Sequence, residues 1–382
     1  MKVSKTIRYE DLTWPEIAAL PRETPLVIPL GSGFDPDAIA DALGGPSVFG
    51  ILPALPYGWQ ASGLAVPRNL LERTLVHLLA SLRDDGFRSV FAATPQNIDP
   101  GLGSAQISIP EVRVPLEQIP TEKEIGKVVL IPVGHTEQHG YHLPMSTDTN
   151  IIESIARGVA ETVPDLATTL PVVPYGVSTH RRSFAGTLDA GGRAFEDFFL
   201  AVIDQLVLRG FDRFYFLNGH GGNHSFLVNV VKYAGDRYPR IFCATSWLYL
   251  SGPDGITALK KDRNSKIGGM GHAGELETSL LLHLQPDLVK MEKVVDETDF
   301  VTTPNYYMDW VEGGALIANP PWYDDTRTGA YGAGSLAAAE KGRAWLAAAI
   351  SEKITHVREI HDQHTRRESR REAGYGGWGI KI

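Results

Sequence analysis

The sequence predicts an α/β protein: a mostly parallel sheet sandwiched by helices, preceded by a degenerate, smaller copy of the same unit. Three observations carry that expectation. Short runs rich in β-branched and aromatic residues alternate with longer segments of helical periodicity, the pattern of a parallel sheet covered on both faces. Several segments of the first part recur, in the same order, in the second. A length of 382 residues exceeds one average domain and suits two units, or one large unit with an appendage.

The echo is taken first, because a repeat changes the reading of the whole chain. Leu26–Gly31 answers Val129–Gly134, Leu52–Gly58 recurs as Leu170–Gly176, and the Gly-Phe stretch Asp85–Phe91 recurs as Arg209–Tyr215. Each unit then reads strand, loop, helix, strand, helix, strand. Lys127–Val133 and Phe211–Leu217 are short, glycine-bounded and apolar, as strands buried on both faces should be. Phe195, Phe198, Phe199, Val202, Leu206 and Val207 fall at three- and four-residue spacing, one face of a helix that Gly210 closes. Pro95–Thr121, with its Pro, Gly and Asn, reads as the linker between a unit at 1–118 and a unit at 119–382. Gly252–Gly271 and Asp296–Thr328 read as irregular segments, the places where sites usually lie. Ser335 to about Ile360 reads as an alanine-rich amphipathic helix, followed by an irregular tail at Gly374–Ile382.

Composition removes whole classes of function. Lys and Arg number 36 against 45 Asp and Glu, a net charge of −9, and no long basic block is present, so neither nucleic acid nor an anionic membrane is an expected partner. The longest apolar stretch, Phe198–Leu208, is short and interrupted by Asp204 and Gln205, and no apolar run follows the charged start. Neither a membrane span nor a signal peptide is expected. A single cysteine, Cys243, excludes an intramolecular disulfide framework and a cysteine zinc knuckle. The expected compartment is the cytoplasm, and any metal must be held by His, Asp and Glu.

Four polar clusters sit where strands should end. They are Gly134–Pro144 followed by Thr147-Asp148; Tyr175–His180 with Phe184–Thr187; Asn218–His224; and Gly271–Ser279. Seven of the 12 histidines lie in them. Ligands of open α/β sheets bind at the carboxyl ends of strands, so these loops should converge. Glu137 and His139 alternate across one extended residue and can point into one cleft, while Asp148 returns after a loop. Carboxylate and imidazole together suit Zn²⁺ or Mn²⁺. Asn218–Asn223 also reads as a glycine-rich turn or a phosphate nest, but the Lys of a phosphate loop is absent. No G-x-S-x-G elbow exists and Cys243 sits in an apolar strand, which weakens nucleophilic Ser or Cys catalysis.

At these residues the chain resembles the creatininase family of metal hydrolases. The family's Glu-Gln-His-Gly, His-Leu-Pro and Thr-Asp pattern is met by Glu137–Gly140, His142–Pro144 and Thr147-Asp148; its Asn-Gly-His-Gly-Gly-Asn block by Asn218–Asn223; its His-Ala-Gly and Glu-Thr-Ser block by His272–Ser279. The resemblance runs from about Ile125 to about Ile360 and implies a creatininase-like fold and two divalent ions per chain, Zn²⁺ or Mn²⁺. Carried over by position, Glu137, Asp148 and His220 would hold one ion, and His139, Asp148 and Glu277 the other, with Asp148 bridging. Creatininase itself has a metal-binding Glu where this chain has Gly222. Glu277 is therefore the assigned replacement and Glu275 the competitor, and creatinine is not carried over as substrate. Phe184–Thr187 has Ala185 where many members have Pro.

The implied chemistry is attack of a metal-bound hydroxide on a carbonyl, with the ions about 3.5–4 Å apart. His272 is the candidate general acid. Ser178, His180 and Arg181 are the candidate substrate-binding residues. A small polar cyclic amide, cut at its C–N bond, is the default substrate. The alternative is C–C hydrolysis of a cyclic diketone such as an oxidised inositol, and a reading from another class is a metal-binding regulatory protein without catalysis. A homo-oligomer is expected. Aligned on the echo, Glu137 falls opposite Phe34, His139 opposite Pro36 and His220 opposite Gln96, so the first unit cannot build the same centre. Most members lack that unit. It is expected to dock as a pseudo-symmetric partner and to wall the active-site mouth through Tyr57 or Trp59.

Overall fold

Every strand of the described chain belongs to one of two all-parallel sheets. The computed structural model describes residues 4–110, 119–179 and 183–374. The first sheet is built from β1 (Lys5–Arg8), β2 (Leu26–Pro29), β3 (Val48–Ile51), β4 (Val90–Pro95) and β5 (Gln106–Ile109), in the order β1-β3-β2-β4-β5. Short helix α1 (Trp14–Ala18) follows β1, α2 (Pro36–Ala42) follows β2, and α3 (Arg68–Asp84) precedes β4. The second sheet takes β6 (Val128–Val133), β7 (Ala167–Thr169), β8 (Arg213–Asn218) and β9 (Phe242–Thr245) in the order β7-β6-β8-β9. Between its strands run α4 (Thr147–Thr162), α5 (Gly192–Leu208) and α6 (His224–Arg237); α7 (Pro253–Asp262), α8 (Glu275–Leu284) and α9 (Ala339–Glu372) follow. All six residues of β6 are buried, which is what an apolar run without alternation dictates.

The echo read from sequence is present bond for bond. Without its edge strand β1, the first sheet has the strand order of the second. Leu55 N–H donates to the Pro29 carbonyl as Val173 does to Pro132, Gly31 to Leu55 as Gly134 to Val173, and Leu52 to Val27 as Leu170 to Leu130. Leu26 faces Val90 in register as Val129 faces Phe214. After each long helix, Gly86 and Gly210 adopt the same φ of 93°, and the next phenylalanine amide closes back onto Leu82 or Leu206.

One hydrophobic core runs through both sets of elements. Tyr57, Leu71, Leu75 and Leu78 are buried in the same cluster as Phe195, Phe198 and Phe199. Gly58 (φ 104°) lies against Phe198, where a Cβ would come within 2.6 Å of Cε2. Tyr57 stacks on Phe198 at 6.3 Å and Trp59 is 3% exposed, so both are core residues and neither walls an active-site mouth, contrary to expectation. Their apolar neighbours draw them inward. A different segment reaches the loop after β6: Met145 N–H donates to the Leu12 carbonyl (2.9 Å) and Ser146 N–H to the Glu10 carbonyl (3.1 Å).

Three boundaries differ from the sequence reading. Gln106–Ile109, inside the expected linker, pairs with β4 as an edge strand too short to show periodicity. Pro253–Asp262, inside an expected irregular segment, is helical, started by Pro253 in its first turn. The last helix begins at Ala339 and continues to Glu372, beyond the last apolar positions. Charged pairs accompany its final turns, Asp362 with Arg366 and Glu368 with Arg371. No described helix is long and apolar enough to cross a membrane.

Candidate metal centre

The site assembles at the carboxyl ends of β6 and β8 because the turns there admit no side chain. After β6, a Cβ on Gly134 would fall 2.6 Å from Thr149 Cα, so glycine lets the loop pass the start of α4. That loop carries His135, Glu137, Gln138 and His139, all fully buried, and leads to Asp148 in the first turn of α4, an end that favours negative charge. His220 follows β8, and Glu277 lies in the first turn of α8 behind His272.

Three imidazoles and three carboxylates converge here. His220 Nδ1 lies 3.0 Å from Glu137 Oε1 and 3.3 Å from Asp148 Oδ2. His139 Nε2 lies 3.1 Å from Asp148 Oδ1 and 3.7 Å from Glu277 Oε2. Asp148 thus offers one oxygen to each group. His272 Nδ1 lies 3.6 Å from Glu137 Oε1 and 4.0 Å from Glu277 Oε2. Donors 2.0–2.2 Å from one tetrahedral ion stand about 3.4 Å apart, which is the scale of these separations.

The far side of each ring fixes its proton. His139 Nδ1 contacts the Glu137 carbonyl at 3.1 Å, His220 Nε2 the Val177 carbonyl at 3.0 Å, and His272 Nε2 the Gln138 carbonyl at 2.7 Å. A carbonyl only accepts, so each of those nitrogens carries the hydrogen and the opposite lone pair faces the carboxylates. Lone pairs against carboxylate oxygens repel unless a cation lies between them, and an outer N–H bonded to a carbonyl is how metal-ligating histidines are oriented. The same carboxylates favour any cation there, a proton included. Burial opposes charge on His139, yet Asp148 and Glu277 raise its pKa above the ordinary value. Burial likewise opposes charge on Asp148, and His139 and His220 hold it far below the carboxylate range. The donor set therefore fits divalent cations.

Ser178 is buried, with its hydroxyl donating to Glu137 Oε2 at 3.1 Å. His180 and Arg181 lie outside the described residues. Glu275 points elsewhere: it accepts from the Asn264 and Ser265 amides and pairs with Lys341 at 2.5 Å. His135 Nδ1 accepts from Gly176 N–H at 2.8 Å, and the residue lies beside Glu137 and His220 in a group that could hold a metal ion. Tyr249 is a residue sequence reasoning missed. Its hydroxyl contacts Asp148 Oδ1 (3.3 Å), Glu277 Oε1 (3.5 Å) and the Gly219 carbonyl (2.8 Å). It stands in an aperiodic stretch after β9 that carries no spacing signal. A cavity of about 700 Å³ opens beside the cluster, bounded by Val177, Gly221, Gly222 and Trp322.

A parallel α/β sheet with a buried carboxylate and imidazole cluster at its strand ends defines a candidate metal-binding α/β protein. The profile of the creatininase family, creatinine amidohydrolase, matches residues 115–357, and the chain belongs to that family. It is 35% identical over 174 residues to a mycofactocin precursor peptide peptidase of Mycobacterium ulcerans, a match covering 44% of this chain and 62%, less than two thirds, of that protein. It is 31% identical over 195 residues to the creatinine amidohydrolase of Pseudomonas putida, covering 47% and 72%. A 3-dehydro-scyllo-inosose hydrolase of Thermotoga maritima matches at 28% over 266 residues, covering 65% and 82%. Among solved structures, a mutant creatininase complexed with creatine superposes with a TM-score of 0.53 at 26% identity, over 63% of this chain and 94% of that one. One described as "Creatininase Mn" gives 0.51 at 25%, over 62% and 92%.

Proposed function

We propose that this chain hydrolyses the C–N bond of an amide at a two-ion centre held by Glu137, Asp148 and His220 on one side and His139, Asp148 and Glu277 on the other. The observation that carries the reading is Asp148, whose two oxygens face the lone pairs of two different histidines. Bound divalent ions supply Lewis acidity toward a carbonyl and lower the pKa of water toward neutrality. Manganese is the first ion to test, given the likeness to the Mn form of creatininase.

The chain's own residues do the rest. Ser178 donates to the Glu137 carboxylate, and the Tyr249 hydroxyl, whose one proton has the Gly219 carbonyl as its nearest acceptor, lies against Asp148 and Glu277, so the ligands are packed before substrate arrives. Hydrolysis places the oxygen of water on the carbonyl carbon and sends a proton out with the nitrogen. His272, with its hydrogen held on Nε2 by the Gln138 carbonyl, presents Nδ1 to the cluster as an acceptor and can carry that proton to the departing nitrogen. The first unit, about 1–118, serves as a brace, since Glu10 and Leu12 hold the loop that carries Glu137 and Asp148.

A second reading, C–C cleavage of a cyclic diketone, is favoured by the length of the match to the inosose hydrolase. Product analysis separates the two. Manganese-loaded enzyme screened against amides, lactams and keto-inositols should release an amine or open a lactam. Turnover confined to keto-inositols, with no amide cleaved, would replace the first reading with the second.

A further inference from the structure

We infer that the amide this site takes carries an aromatic or comparably flat, uncharged group, seated in the tryptophan-walled cavity beside the cluster; the inference rests on the amide reading above.

The cavity of about 700 Å³ is the size that accommodates a drug-sized ligand, far more than a single small ring fills. It adjoins the reacting position on two sides. On one, Gly221 directly follows His220, and a Cβ there would lie 3.4 Å from Trp247 Cη2 and 3.7 Å from Trp310 Cη2. On the other, Trp322 packs edge-on against His272, with ring centroids 5.1 Å apart. Substrate bound at the cluster therefore has Trp247 and Trp310 beside it, while Trp322, itself buried, backs His272.

The wall is ordered as a run of rings. His224 meets Trp247 edge-on at 5.0 Å, and Trp247 meets Trp310 at 5.7 Å. Such an arrangement offers faces and edges to another ring, the geometry aromatic groups prefer. No lysine or arginine is among its described lining residues. Among the described lining residues the one carboxylate is Asp309, which is spent on Arg263 (2.7 Å) and on the Gly268 and Val311 amides. Burial also lowers the pKa of His224 and keeps that ring neutral.

Two buried polar atoms on this wall lack a partner among the described residues, Trp310 Nε1 and His224 Nδ1. Leaving a buried donor unpaired costs free energy, so these atoms bond whatever fills the cavity, water or a ligand group. An amide group flanking the aromatic moiety suits them: its carbonyl accepts from Trp310 Nε1–H and its N–H pairs with the imidazole. A small, wholly polar ring would leave the apolar wall wet.

The test measures binding, apart from turnover. N-acetylphenylalanine amide and N-acetylglycine amide are titrated calorimetrically into manganese-loaded full-length enzyme. The phenylalanine compound should bind about tenfold tighter or better, the size of effect expected when a ring leaves water. Trp247→Ala should erase that preference, and Trp310→Phe should weaken both probes while keeping the preference. Equal affinities, no binding of either probe, or a preference unchanged in Trp247→Ala would overturn the inference. A clear preference without any amine released from either probe would instead count against the amide reading.

Discussion

Lys341 Nζ lies 2.5 Å from Glu275 Oε1, and that pair separates two glutamates that sequence spacing alone leaves as rivals. Residues two apart on a helix point to opposite sides. Glu275 turns to Lys341 and the 264–265 amides, while Glu277 accepts from Ala273 N–H at 2.7 Å and faces His139. Glu277→Gln is therefore expected to lose one of two bound ions. Glu275→Gln should keep both and lose about 2 kcal/mol of stability, since it removes the charged partner of a mostly buried lysine that keeps the Leu336 carbonyl. Elemental analysis beside chemical denaturation checks both outcomes.

His272→Ala should retain its metal while kcat falls by roughly 10²–10⁴-fold, the contribution of a positioned proton donor. The measurement decides the role, because His272 Nδ1, 3.6 Å from Glu137 and 4.0 Å from Glu277, lies close enough to the carboxylates to be a ligand as well. Loss of an ion in this variant would place His272 among the ligands.

His142 gives a pH signature. Burial, with His139 nearby, pushes its imidazole down to about 4, against the small opposing pull of Asp296. The unfolded chain has an ordinary value near ~6.5, so it binds the proton first as pH falls. The stability is fully present above pH ~6.5 and is lost as pH falls toward 4. Between pH 7 and pH 4.5 that loss is about 2–3 kcal/mol. In His142→Gln, which can still reach Thr278 Oγ1, this part of the loss should vanish. Denaturant titrations of chelator-treated wild type and variant at both pH values read the difference; parallel losses would contradict it.

The two units should not separate. Gly58→Ala places a Cβ where Phe198 stands, at φ 104°, and should destabilise the whole chain by about 1–3 kcal/mol in a single transition. A fragment from Pro120 to Ile382 uncovers Phe198 and its buried neighbours and should aggregate or bind metal poorly. A soluble, fully active fragment would leave the bracing role of Glu10 and Leu12 without support.

Much of this was legible because the informative residues are contiguous. Glu137 and His139 share one short loop that leads to Asp148 in the first turn of α4, and His220 sits in a glycine-rich turn directly after a strand, so spacing alone placed them at strand ends. The echo was legible for the same reason, since its glycines and prolines mark turns. Tyr249, Trp247, Trp310 and Trp322 were not legible. They come from aperiodic segments after β9 and between α8 and α9, and only tertiary packing brings them to the site. The roles of Tyr57 and Trp59 were misread because an aromatic residue near a predicted turn looks the same whether it faces solvent or the neighbouring helix. For β5 and α7, four residues and a glycine-flanked start gave too little pattern to register.

The central claim is a two-ion centre bridged by Asp148, and metal stoichiometry tests it most directly. Wild-type protein purified, loaded with Mn²⁺ and freed of excess should carry close to two ions per chain, as expected for a carboxylate bridge in a two-metal site. Asp148→Ala, which removes the oxygens 3.1 Å from His139 and 3.3 Å from His220, should carry close to none while remaining folded by circular dichroism. One ion or fewer in fully loaded wild type, or two ions retained in folded Asp148→Ala, would contradict the account.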